Sequence, residues 1–272
     1  MGIITNMDKK PLALLNRVTI SSVFAIVLLA ISVIAVLLPL GKISFYFAIL
    51  PQFLLIALMM QTTNRAYQSL VETGTPEQKV WFFFLAGTLA TFVGEMLYLV
   101  GNIANPVNMI IIFSSTVFML GAYVFFIIGL WRVSFHIRTA KGGKPNYIPA
   151  IITFVVIAFI GAVLFVQMQK ANTAGVLMVT FLGYLIPDFF IIAISATVMV
   201  RTWGGMLFST YIMYAVGCLF LVTYQISASF LVLGGVPVHS NPIQLLFMVA
   251  LVSFVVGSDM RYKTEMRLRE VA

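Results

Sequence analysis

Glu95 and Asp188 are the side chains of this sequence best placed to do chemistry. The chain has eight acidic residues, and these two alone fall inside long apolar runs. An ionised carboxylate at such a position costs at least ~2.5–3.5 kcal/mol on insertion scales, so it faces a helix bundle or water rather than lipid. Helical spacing gives each acid company. Thr88, Thr91, Glu95, Tyr98 and Asn102 recur at steps of three and four, which puts them on one stripe of a helix. Ala86, Ala90 and Gly94 form a small-residue surface beside it, where a second helix can approach closely. Tyr184, Asp188 and Ser195 share a face of their own run, and Tyr224 and Gln225 lie near the level expected for Glu95.

The candidate ligand-binding set is therefore Glu95, Asp188, Tyr98, Thr91, Tyr184, Gln225 and Tyr224. Lining one pocket that opens outwards or towards the outer leaflet, these groups would meet a polar or cationic ligand, or a proton. A plainer reading makes both carboxyls neutral glue between helices. Asp188 follows Pro187, which has no N–H to donate and frees a carbonyl one turn earlier, and a protonated Asp188 could donate towards it.

No catalytic set accompanies these acids, so the chain is expected not to be an enzyme and to carry no cofactor. His136 falls at an inner helix end and His239 in an outer loop, which leaves no pair of histidines inside the membrane to hold haem. A single cysteine, Cys218, supplies no Cys/His zinc or iron–sulfur set. Walker A, nucleophile-elbow and HExxH sequences are all missing. The 24 Phe and 15 Met are most simply helix packing and lipid contact.

The elements that must position the acids are membrane helices. Of 272 residues, 61% are hydrophobic and 9% charged, against roughly a quarter charged in a soluble domain. The apolar runs fall at 18–38, 43–62, 80–101, 107–131, 147–168, 174–200, 206–233 and 242–258. Most match the ~20 residues a helix needs to cross the hydrocarbon core. None alternates with the period of two that a barrel strand requires. The first run is too long for a signal-peptide core and no small-residue cleavage site follows it, so it is expected to be retained.

Charge sets the expected orientation. Eight spans put both termini on one side. That side carries fourteen of the sixteen Lys and Arg, the exceptions being Lys42 and Lys170. Basic residues concentrate on the cytoplasmic face, which places both termini inside at the cell membrane. The same rule explains the net charge of +8 without a nucleic-acid partner. The segment Asp259–Arg269 is expected to continue the last span as a charged helix.

The chain also repeats at its midpoint. A shift of 136 residues puts Pro51 on Pro187, Phe53 on Phe189, Arg65 on Arg201, Asn105–Pro106 on Asn241–Pro242 and Gly121 on Gly257. Between these anchors the shift falls to 130, pairing Gly87 with Gly217 and Glu95 with Gln225. The expected architecture is all-α and integral to the membrane, with eight helices as two parallel four-helix repeats over 1–136 and 137–272.

Pro187–Asp188–Phe189–Phe190, Arg201 followed by Gly204–Gly205, and Gly217 with a polar residue eight later resemble the multi-helix membrane sensor modules of archaeal histidine kinases. Gly87 and Glu95 match the last element in the first half. The sequence departs from the pattern at Gln225, which stands where those modules have an acid, and no kinase domain follows. The resemblance implies sensing of a membrane-borne or extracellular cue.

Three functions fit these features. The leading one is a non-enzymatic sensor or ligand-binding bundle taking a small membrane-soluble ligand. The second is an accessory subunit of a larger membrane complex, respiratory for example, with protein partners or further copies of the chain. The third is a small-solute or proton-coupled transporter.

Overall fold

The computed structural model describes residues 19–37, 42–103, 109–136, 176–202, 207–233 and 241–271. They form seven helices: α1 (Ile20–Leu37), α2 (Lys42–Thr73), α3 (Gln78–Ile103), α4 (Met109–His136), α5 (Val176–Thr202), α6 (Phe208–Leu233) and α7 (Gln244–Val271). No strand occurs among these residues. Five of the helices, α1, α3, α4, α6 and α7, are long and apolar enough to cross a membrane. The span expected at 147–168 lies outside the described residues, as do Lys170, Asn105–Pro106 and the Gly204–Gly205 pair.

Each helix lies where its apolar run predicts, with one difference. The stretch 63–79, expected as a loop, is helical as far as Thr73. Nothing between Thr63 and Thr73 breaks a helix; the break comes at Gly74, which adopts φ 64°, a conformation open to glycine at little cost. Its N–H donates to Val71 O, and the N–H of Thr75 to Leu70 O. These two bonds are the Schellman pattern that satisfies the last carbonyls of a helix. The tight turn starts α3 four residues later and sets Glu77 at its threshold. Beyond Ser258, α7 likewise stays helical through the charged segment to Val271, as its composition predicts.

Contacts between neighbours run α2–α3–α4–α5–α6–α7 and back from α7 to α2, and α1 packs on α2 and α7. The tightest joints follow one device. On α3, Phe84 lies over Gly129 of α4, and on α4, Phe126 lies over Gly87 of α3. On α6, Tyr214 lies over Gly257 of α7, and on α7, Phe254 lies over Gly217 of α6. A β-carbon at Gly129 would stand 2.5 Å from the Phe84 ring, and one at Gly217 2.7 Å from the Phe254 ring. Each ring therefore fills the space of a missing side chain, and the helix pairs close tightly through small residues. The small-residue face on α3 behaves as expected: a β-carbon at Gly94 would meet Met119 of α4 at 2.9 Å.

Candidate functional site

Glu95 stands on α3 eleven residues beyond Phe84, about 16 Å along the axis. Its carboxylate accepts a hydrogen bond from Gln52 Nε2 of α2 at 2.8 Å. Gln52 Oε1 in turn accepts from Gln244 Nε2 of α7 at 2.7 Å. Gln52 and Gln244 are both buried. The three helices are thus tied by one chain of side-chain bonds, running Gln244 to Gln52 to Glu95. Gln52 thus gives its amide nitrogen to Glu95 and its oxygen to Gln244. Among the described residues Gln244 Oε1 has no hydrogen-bond partner.

The other residues expected around Glu95 are arranged differently. The Thr91 and Thr88 hydroxyls donate to Gly87 O and Phe84 O on their own helix, at 3.0 and 2.8 Å, and so do not reach the carboxylate. Tyr98, Tyr224 and Gln225 are half-buried and engaged in interactions of their own. Tyr224 packs on Phe247 of α7, 5.2 Å between ring centroids, one turn from Gln244. Tyr184 lies in α5, and its side chain is outside what the structure describes.

Asp188 occupies a second place, on α5. It is 1% exposed and lies near the Tyr123 hydroxyl of α4, and among the described residues its Oδ1 has no hydrogen-bond partner. Ser195, two turns along the same face, lies beside the buried Cys218 thiol of α6. Among the described residues no printed contact links Asp188 to Glu95.

Below Glu95 the middle of the bundle is closed by four buried rings. Phe84 stacks on Tyr214 at 4.7 Å and 17°, and Phe126 on Phe254 at 5.7 Å and 11°. Phe84 also meets Phe126 at 6.2 Å, and Tyr214 meets Phe254 at 5.3 Å. Trp81 sits edge-on to Phe84 and Tyr214. These rings bridge α3 to α6 and α4 to α7, helices that face one another across the bundle.

A second polar layer lies beyond the rings, at the end that carries Arg65, Lys79, Arg132 and the basic residues of α7. Glu77 is its centre. Arg261 donates to Glu77 through Nε at 3.0 Å and Nη2 at 2.8 Å, a bidentate pair. Tyr211 Oη donates to Glu77 Oε1 at 2.6 Å and Trp81 Nε1 to the same oxygen at 3.3 Å. Arg261 Nη1 also pairs with Glu265 at 2.9 Å. Nearer the rings, Ser258 bonds the Tyr214 hydroxyl at 2.8 Å and Thr63 of α2 at 3.1 Å. Asp259 accepts from Ser22 of α1 at 2.8 Å and from Thr19. Further out, Arg269 bonds Glu72 at 2.6 Å and the carbonyl of Ser69.

Gln52, Gln244, Glu77 and Arg261 are the polar residues that sequence reasoning missed. Gln52 had a signal: it follows Pro51 just as Asp188 follows Pro187. Glu77 and Arg261 gave none, since both read as solvated ends of spans. Among the described residues there is no group of three or more His, Cys, Asp or Glu able to hold a metal ion. Comparison of the chain with protein-family models, characterised proteins and solved structures finds no match.

Proposed function

We propose that the chain is a non-enzymatic membrane sensor, with its basic end in the cytosol and the Glu95 layer towards the outside. One observation carries this reading. The unbroken helix α7 holds Gln244 in the Glu95 layer and Arg261 in the Glu77 layer. The two are seventeen residues apart, about 26 Å of helix. A ligand that changes the bonding of Gln244 acts on a stiff element whose other end is gripped by Glu77. The resemblance to archaeal sensor modules points the same way. The closed aromatic layer weighs against transport, because among the described residues it sets apolar rings between the two polar layers.

The same reading takes the two halves as a duplication. Its support is the ring-on-glycine device. Phe84 and Gly87 on α3 correspond to Tyr214 and Gly217 on α6 at a shift of 130. Ala122, Phe126 and Gly129 on α4 correspond to Ala250, Phe254 and Gly257 on α7 at a shift of 128. Each stacked pair joins a ring to its own counterpart. Gly129 rather than Gly121 is then the match of Gly257: nothing lies within 4 Å of a β-carbon at Gly121.

Native mass spectrometry of the protein, gently extracted from its own membrane, tests the function. A lone chain or homo-oligomer carrying a small molecule, lost in Glu95→Gln, supports the sensor. A stoichiometric protein partner with no small molecule overturns it in favour of an accessory subunit.

A further inference from the structure

We propose that the Gln244–Gln52–Glu95 layer binds a small organic cation with N–H donors, an alkylammonium, with Glu95 as counter-ion and Gln244 Oε1 as second acceptor. The proposal rests on the sensor reading and names the ligand class of its site.

Among the described residues the layer offers Glu95 no cation. Gln52 is the one hydrogen-bond donor that Glu95 has among the described residues, and no described Lys or Arg pairs with it. Arg261 and Arg269 of α7 are held at the opposite end by Glu77, Glu265 and Glu72. Lys42 opens α2 ten residues before Gln52, about 15 Å of helix away. A carboxylate offers roughly four lone-pair positions, and a charge taken from water is tolerated when it is paired and hydrogen-bonded.

The second unfilled group is also an acceptor. Gln244 is 2% exposed, its nitrogen is committed to Gln52, and among the described residues its oxygen has no partner. A buried carbonyl left in that state costs about 1–3 kcal/mol. The unmet needs of the layer are thus donors and a positive charge, which an ammonium group supplies together. An anion or a ligand with acceptors alone meets neither need. A calcium or magnesium ion wants six or more oxygens, more than the described residues of this layer give. Phe247, one turn from Gln244, packs on Tyr224 of α6, which brings aromatic rings of the kind that favour cations to this part of α7.

The test uses the purified full chain in lipid nanodiscs, with thermal unfolding as the readout. Methylammonium, tetramethylammonium and sodium chlorides are compared at equal ionic strength. Methylammonium is expected to raise the melting temperature saturably, and tetramethylammonium, which has no N–H, and sodium are not. Glu95→Gln, nearly isosteric, abolishes the shift. Gln244→Leu needs about tenfold more methylammonium, the worth of one hydrogen bond; where that variant fails to fold, Gln244→Met takes its place. No specific shift in the parent protein, equal shifts from all three salts, or a shift that survives Glu95→Gln overturns the proposal. A bound molecule in the native spectrum that depends on Glu95 but is no cation overturns the ligand class alone and leaves the sensor standing. A protein partner in that spectrum, together with a Glu95-dependent methylammonium shift, overturns the sensor and leaves the site.

Discussion

Arg261 and Glu77, 184 residues apart in the chain, hold each other through two parallel hydrogen bonds of 3.0 and 2.8 Å. Both sides of the pair are largely withdrawn from solvent, 4% and 19% exposed. Tyr211 and Trp81 add donors to the same carboxylate. This one acid therefore joins the start of α3 to α6 and α7.

Removing one partner of such a pair strands a buried charge, which costs about 3–5 kcal/mol. Arg261→Met and Glu77→Leu are each expected to lower stability by about 3 kcal/mol. The double variant is expected to lose clearly less than the two losses added. Thermal unfolding of all four proteins in one detergent checks this. Additive losses would mean that the pair contributes no coupling.

The glycines under the rings are expected to respond to alanine according to their surroundings. A β-carbon at Gly217 meets the Phe254 ring at 2.7 Å and the carbonyl of Ala250 at 3.1 Å. The backbone atom has little room to give, so Gly217→Ala should cost about 1–3 kcal/mol. Gly257→Ala, whose β-carbon would meet the Tyr214 ring at 2.7 Å and the carbonyl of Thr210 at 3.1 Å, should behave alike. Gly121→Ala, in open space, should be neutral or stabilise by up to about 1 kcal/mol through helix propensity. Melting temperatures of the three variants decide, and a loss at Gly121 equal to that at Gly217 would sink the packing account.

Ser258 and the Tyr214 hydroxyl should differ in what their loss exposes. Tyr214→Phe removes the hydroxyl and leaves Ser258 its bond to Thr63, at a cost near 1 kcal/mol. Ser258→Ala leaves two buried hydroxyls, Tyr214 and Thr63, without that partner, and the cost is expected to be about 1–3 kcal/mol. Chemical or thermal unfolding should rank Ser258→Ala as the more damaging; the reverse order would show that the trio is not bonded as described.

Cys218, 2% exposed, should resist a membrane-permeant maleimide in the folded protein and react fully once the chain is unfolded in SDS. With that thiol silent, a cysteine placed at the exposed Arg267 reports orientation. It should react with an impermeant maleimide in inside-out vesicles and stay unlabelled in intact cells, which would put the basic end in the cytosol. The opposite pattern would invert the sensor.

Much of the fold could be read from the sequence because the burial of apolar runs leaves little choice. The run at 80–101 became Gln78–Ile103, and the charged continuation of the last span is helical as its pattern predicts. Glu95 was also legible as a polar anchor, since an acid in an apolar run has few other uses. Its partners were not. Gln52 and Gln244 are uncharged, sit on different helices, and form a chain to Glu95 only because α2 lies against both α3 and α7. Glu77 was hidden for another reason: with α2 expected to end near residue 62, nothing suggested that Gly74 and its turn would carry an acid back beneath α7. The aromatic-x-x-glycine pattern at Phe84, Phe126, Tyr214 and Phe254 was on view, but a search for polar side chains passes over it.

Helix α7 has a consequence for how the protein is made. Between Gln244 and Ser258 it offers fifteen residues before the first charge at Asp259, about 22 Å of helix against a hydrocarbon thickness of about 30 Å. Most of that span is buried against neighbouring helices rather than open to lipid. It follows α1, α2 and α6 in the chain and packs on all three, so those helices can receive it as it leaves the ribosome. Entry of α7 is thus a docking step onto protein already in the bilayer, and a defect in its neighbours would surface as a failure of biogenesis before any failure of function.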